Sequence, residues 1–131
     1  MQRHYRLIIA FLIIVLGLSK ALAQEEADQP MMRADVRGEI TNLQQAKPED
    51  KGNKILGFIR IEGTLEEDTQ YDKAAVTLTD KTLIFEKKAG EHHPVTFEAL
   101  AVGQRVQARF IGPVMESYPV RATASEVVIL E

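Results

Sequence analysis

The chain contains no cysteine, and this absence excludes several classes of function. Without cysteine there is no disulfide, no thiolate nucleophile and no zinc site with cysteine ligands. There is also no cysteine to carry the lipid that anchors a lipoprotein. The folded part of the chain must therefore be held together by core packing and strand pairing alone.

Residues that mark common enzymes are also scarce. Beyond residue 23 there are two serines, Ser117 and Ser125, and neither lies in a Gly-x-Ser-x-Gly motif. The sequence has no Walker loop, no dinucleotide fingerprint and no His-Glu-x-x-His. Acidic residues are plentiful, but no motif places two carboxylates together for hydrolysis. We therefore expect a protein that is not an enzyme and that binds no cofactor.

Only one long apolar run occurs, and it lies near the amino terminus. Two arginines precede the run, which extends from Leu7 to Leu18 and is followed by Ala21-Leu22-Ala23. A membrane-spanning helix needs about 20 apolar residues, so this run is short for an uncleaved anchor, which is the alternative reading. Its pattern is typical of a signal peptide over residues 1–23. It predicts a secreted or periplasmic protein without stable membrane insertion after cleavage.

The charge balance argues against nucleic acid as a partner. Loss of residues 1–23 removes Arg3, Arg6 and Lys20 and no acid, so the formal net charge falls from −3 to −6. Phosphate neutralisation by basic residues supplies most non-specific affinity for nucleic acid. Four residues could form a basic stripe on the strands, but binding of single-stranded nucleic acid also requires exposed rings for base stacking, and the phenylalanines fall in core-like phases. The stripe is therefore expected to pair with acidic side chains of neighbouring strands. The stripe comprises Arg37, Arg105, Gln107 and Arg109, and the phenylalanines are Phe58, Phe85, Phe97 and Phe110.

Alternating apolar and polar residues predict an all-β fold for residues 34–131, after a flexible tether at 24–33. We expect a small OB-like antiparallel β-barrel of five to six strands, with one short helical turn around Phe97 before the last two strands. An SH3-like barrel or an open sandwich is the alternative. Residues 74–87 are predicted to form a hairpin with a turn at Asp80-Lys81, residues 89–94 a loop, and the last strand a bulge near Ser125-Glu126. The proposed core includes Ile59, Val76, Val106 and Phe110.

Two sequence segments carry a resemblance to a known family. GPVMESYP at 112–119 is the more specific segment, and FEALAVGQRV occupies 97–106. With the final Ala122-Thr123-Ala124, these segments resemble the small exported bacterial proteins of domain of unknown function 3221, known from an uncharacterised secreted Bacillus member. The resemblance implies a small β-barrel outside the cytoplasm with no established activity. Many relatives are lipoproteins, and this chain differs from them in lacking cysteine at the cleavage site.

The segment from Gly112 to Val120 is our candidate for a ligand-binding loop. Pro113 and Pro119 each fix a backbone angle and remove a hydrogen-bond donor, so the side chains between them lose little entropy on binding. Those side chains are Glu116, Ser117 and Tyr118. The alternative is structural: Tyr118 packs on the barrel wall with its hydroxyl bound to backbone, while Glu116 or Ser117 satisfies loop amides.

Metal binding is considered at two places, and neither has the pattern of a site. His92 and His93 follow Glu91, but neighbouring residues of an extended segment point in opposite directions. A cluster of five acidic residues lacks the spacing of a calcium loop, and is expected to keep an edge strand soluble. The cluster comprises Glu62, Glu66, Glu67, Asp68 and Asp72. We therefore predict no metal site.

These observations favour an exported, non-catalytic binding or accessory module of the bacterial cell envelope. Its partner would be an extracytoplasmic protein, peptide or small ligand, and the protein is expected to be a monomer. The alternative is a cation- or metal-responsive extracytoplasmic domain that uses the acidic and histidine loops.

Overall fold

The computed structural model describes residues 33–52 and 54–131. The predicted signal peptide at 1–23 and the tether, apart from Arg33, lie outside the described residues. In the part of the chain that is described, no helix is long and apolar enough to cross a membrane.

Seven strands make up most of the described chain. Only two short helical segments accompany them: the helix α1 (Pro48–Lys51) between the first two strands, and a 3-10 turn (Phe97–Ala99) before the last two. The strands are β1 (Val36–Gln45), β2 (Ile55–Glu62), β3 (Lys73–Thr79), β4 (Leu83–Lys88), β5 (Glu91–Pro94), β6 (Arg105–Met115) and β7 (Val120–Ile129). The all-β class and the helical turn before the last two strands are confirmed.

Five of the strands form a ring of hydrogen-bonded neighbours. The order is β3-β2-β1-β6-β7, and β7 pairs in turn with β3. This closed pairing agrees with the closure expected of a small OB-like sheet. Strand β4 joins β7 outside the ring, and β5 pairs with β4 at the edge of the sheet.

The strand number and directions differ from the sequence prediction. There are seven strands instead of five or six, because residues 91–94, expected in a loop, form β5. The sheet is mixed and not wholly antiparallel, because β7 runs parallel to both β3 and β4. Local alternation predicts that a strand exists but carries no information about its direction relative to a distant partner.

The predicted hairpin at 74–87 is also wrong, because β3 and β4 follow one another along β7. The first half of β7 pairs with β3, from Ala74 opposite Val120, and its second half pairs with β4, from Leu83 opposite Glu126. Between them the Thr82 hydroxyl donates a 2.7 Å hydrogen bond to the carbonyl of Ala124. This buried contact keeps the connection on β7. The hairpin partner of β4 is β5.

The core lies inside the ring, on the alternate residues that the sequence predicts. Ile59, Val76 and Val106 are all buried there, as expected. Phe110 is only half-buried and stacks on Tyr71 with 5.9 Å between ring centroids, so its predicted place in the core is wrong. The reason is a register shift in which Arg109 pairs with Glu126 but Phe110 pairs with Ala124. This shift confirms the bulge predicted near Ser125.

Glycines allow backbone segments to approach closely at one point of the ring. A Cβ atom on Gly38 would lie 2.3 Å from the carbonyl oxygen of Glu62, and one on Gly63 would lie 2.1 Å from the carbonyl oxygen of Arg37. No side chain fits at either position. The start of β1 and the end of β2 therefore pass each other at a distance that only glycine permits.

Candidate functional site

The predicted loop at 112–120 is the tip of the β6–β7 hairpin and is mostly strand. Strand β6 continues to Met115, so only Glu116 to Pro119 form the turn. Gly112 has φ +76°, a conformation that favours glycine. The pairing is irregular here: Ile111 faces Thr123 and Met115 faces Arg121. The hairpin is thus longer than predicted, and its displayed segment is shorter.

Ser117 stabilises the turn. Its backbone N–H donates a 2.9 Å hydrogen bond to the carbonyl of Met115, and its hydroxyl donates a 2.8 Å bond to the carbonyl of Pro119. Such bonds from serine to nearby backbone are a common way of fixing a turn. The hydroxyl that was a candidate ligand contact is therefore engaged within the turn.

Tyr118 is displayed and held in place by the start of β3. Its side chain is 71% exposed, and its hydroxyl donates a 2.9 Å hydrogen bond to Oδ2 of Asp72. Nζ of Lys73 lies 5.5 Å from the ring centroid. The bond to the Asp72 carboxylate, together with partial desolvation, raises the pKa of Tyr118. The alternative with the hydroxyl bound to backbone is not observed, because the hydroxyl donates its hydrogen bond to the side chain of Asp72.

The remaining side chains of the tip are apolar or unpaired. Glu116 is exposed and forms no hydrogen bond or ion pair with any described residue. Met115 is 63% exposed and Ile111 61% exposed. The tip therefore presents a fixed aromatic ring, the apolar side chain of Met115 and a free carboxylate, with Ile111 exposed just before it on β6. These groups suit binding by contact, and they contain no nucleophile with an activating base.

The acidic loop between β2 and β3 serves mainly to pair with arginines. The Arg37 guanidinium donates hydrogen bonds of 2.9 and 2.8 Å to the two carboxylate oxygens of Asp68, and it also binds Glu66. Arg105 reaches the other oxygen of Glu66 at 3.2 Å. The hydrogen bond from Arg37 lowers the pKa of Asp68. Arg37 and Arg105 thus pair with acids as predicted, although the acids lie in a loop and not on neighbouring strands. Arg109 differs from the prediction, because its Nε–H donates to the backbone carbonyl of Arg33.

The two histidines lie on the exposed edge strand β5. The ring of His92 packs against Phe85 with 5.9 Å between centroids, and Nε2 of His93 is 3.7 Å from a carboxylate oxygen of Glu91. Within residues 33–52 and 54–131, no group of three or more histidine, aspartate or glutamate side chains is arranged to hold a metal ion.

The outer face of the sheet has a hollow that the sequence did not predict. It measures about 180 Å³ and is lined by side chains of β1, β2 and β3, including Phe58 and Arg60. Phe58 was expected in the core, but it is half-buried on the outer face because Ile59 and Ile61 occupy the inner one. The sequence did contain a signal for this placement: Phe58 and Arg60 alternate with Ile59 and Ile61, which puts Phe58 on the same face as a charged residue. Of the other phenylalanines expected inside, Phe97 is buried, whereas Phe85 and Phe110 are half-buried.

Comparison of the chain with protein families, with curated proteins and with solved structures gives no match. The resemblance to domain of unknown function 3221 therefore receives no support from these comparisons and stays a prediction.

Proposed function

We propose that this protein is an exported, non-catalytic binding module of the cell envelope, and that the β6–β7 hairpin tip contacts its partner. The single observation that carries this proposal is the state of Tyr118, which is largely exposed yet fixed by Asp72 and Lys73. An exposed ring that is already oriented loses little entropy when a partner covers it. Tyrosine is also enriched among the residues that dominate binding energy at interfaces.

The composition of the tip specifies the chemistry of the partner. Met115 supplies exposed and adaptable apolar area at the tip, and Ile111 adds exposed apolar area further along β6. Glu116 supplies an unpaired negative charge next to this area. The complementary partner is an extracytoplasmic protein or peptide segment with an apolar side chain next to a lysine or arginine.

The cation-responsive alternative has less support. Its acidic loop is engaged, since Glu66 and Asp68 bind Arg37. A cation would have to displace a guanidinium that is only 11% exposed. We therefore do not propose cation sensing as the function.

Site-specific photo-crosslinking in the native envelope tests the proposal. A crosslinking residue is placed at 118 and, as a matched control, at Leu83, which is 57% exposed on β4. We expect a discrete adduct from position 118 that is absent from position 83 and is reduced by Glu116→Gln. Glu116→Gln and Met115→Ser should each keep the unfolding free energy within about 0.5 kcal/mol of the parent. Identical adducts from both positions, or an adduct unaffected by Glu116→Gln and Met115→Ser, would contradict it.

A further inference from the structure

The outer face of the sheet beside the hairpin carries a second set of unpaired side chains. Registers of four adjacent strands place them in two rows. The first row is Asn42, Arg60, Ala75 and Arg121, and the second is Gln44, Phe58, Thr77 and Thr123. The alternate residues of these strands face the core, so both rows face solvent.

Two arginines flank a gap in the first row. Arg60 on β2 and Arg121 on β7 are each paired in register with Ala75 on β3, which lies between them. Adjacent strands are about 4.8 Å apart, so the two backbones are separated by about 10 Å. Ala75 carries only a methyl group at the position between the two arginines. Both arginines are exposed, and neither forms an ion pair or hydrogen bond with a described residue.

The charges around the two arginines leave this face positive. The next row holds Glu39 and Glu62 beside Lys73, whose Nζ lies 3.7 Å from a Glu62 oxygen, so the two rows together carry three cationic and two acidic side chains. Arg60 attracts Glu62 at longer range, but neither guanidinium group is held in an ion pair with a described residue, so both can bind an added anion. Arginine binds carboxylates through two parallel hydrogen bonds, which gives both affinity and orientation.

The second row adds groups that recognise hydroxyls and an apolar ring face. The amides of Asn42 and Gln44 and the hydroxyls of Thr77 and Thr123 each donate and accept hydrogen bonds. None of these four groups is engaged with a described residue. Phe58, half-buried in the 180 Å³ hollow, provides a flat apolar surface. Hydroxyls, an apolar C–H face and carboxylates occur together in acidic sugars.

We propose that the Arg60–Arg121 face binds an acidic oligosaccharide. Its carboxylates lie on the two guanidinium groups, one sugar ring covers Phe58, and its hydroxyls bond to the amide and threonine side chains. Single-stranded nucleic acid fits less well, because it requires several stacking rings along a basic groove and this face has one. An acidic peptide would use the arginines and could bond to the amides and hydroxyls through its backbone, but a run of acidic residues has no apolar ring face to cover Phe58.

Binding of defined oligomers to the folded protein tests this proposal. The probes are oligogalacturonate, neutral maltopentaose, a short polyglutamate and oligo(dT), followed by amide chemical shifts and calorimetry. We expect saturable binding of oligogalacturonate, with shifts centred on Ala75, Thr77 and Thr123. Maltopentaose, polyglutamate and oligo(dT) should each bind at least about tenfold more weakly. Equal or tighter binding of any of these three, or no binding of oligogalacturonate, would overturn the proposal.

Charge-matched variants locate the site. Arg60→Gln and Arg121→Gln should each weaken oligogalacturonate binding about tenfold, as expected for loss of hydrogen bonds to a charged group. Lys81→Gln removes the same charge from the exposed turn before β4 and should have no effect. Equal weakening by Lys81→Gln would show a non-specific charge effect and would contradict the site. Because Glu116→Gln should leave this binding unchanged, failure here is separate from failure of the hairpin proposal.

Discussion

At the scale of single residues, Arg37 makes the most connected polar contact of the fold. It lies on β1, and its side chain is largely shielded from water. Its guanidinium group donates hydrogen bonds to Asp68, Glu66 and Gln107. Its own pKa is raised, chiefly by the hydrogen bond to Asp68. These contacts fasten the loop that follows β2 to the first strand of the ring.

Replacing Arg37 with methionine should reduce the unfolding free energy by about 1–3 kcal/mol, because several hydrogen bonds to charged groups are lost. The effect should depend on pH. The folded state holds the pKa of Asp68 below its unfolded value of about 3.9, so the contribution is complete above that pH and is lost as the pH falls through the folded pKa. Urea melts of both proteins between neutral pH and pH 3 should show the gap narrowing below about pH 4. A gap that stays constant or widens on acidification would contradict this account.

At the scale of elements, the alternation of apolar residues predicted nearly every strand but not its partner. The bulge at Ser125 was visible because Ala122 and Ala124 change phase with Val127 and Ile129. The parallel pairings of β7 were not visible, because they depend on residues distant in sequence. The polar segment of β5 was missed because all four of its residues are exposed and show no alternation.

The close passage of β1 and β2 gives a prediction at this scale. Gly38→Ala should cost about 3 kcal/mol, at the upper end for overpacking, because the new methyl would overlap the carbonyl of Glu62 at 2.3 Å. Gly52→Ala is the control, since its added carbon would meet only the carbonyl of Glu49 at an ordinary 3.6 Å. Thermal and urea melts of both variants measure the difference. Similar stability of the two variants would mean that the strands do not approach as closely as described.

At the scale of the whole molecule, stability should be distributed unevenly across the sheet. Strand β7 has neighbours on both sides along its length, whereas β5 has only β4 and exposes all its residues. Regions with few buried contacts open at lower free energy. Native-state hydrogen exchange should therefore show the β5 amides exchanging first and those of Val127 to Ile129 last. Equal protection of β5 and β7 would contradict this ranking.

The candidate site could be predicted where its signal is local in sequence, and could not where it depends on residues far apart in the chain. The sequence identified Glu116, Ser117 and Tyr118 because prolines bracket them, which is a local signal. It could not show that Asp72 orients Tyr118, because 46 positions separate the two residues. The Arg60–Arg121 pair was missed for the same reason, since only the parallel register of β3 and β7 brings it together.

The position of β7 in the chain has a consequence for when the protein can fold. This strand supplies a neighbour to β3, β4 and β6, yet it is the last of the seven to leave the ribosome or an export channel. Until then the earlier strands can form the β1–β2–β3 meander, the pairing of β6 with β1 and the small β4–β5 hairpin, but the ring stays open. Vectorial synthesis therefore keeps the chain without its full core until the final strand arrives. Such late completion would be compatible with the export that we propose, because the core would not be complete before the last strand is released.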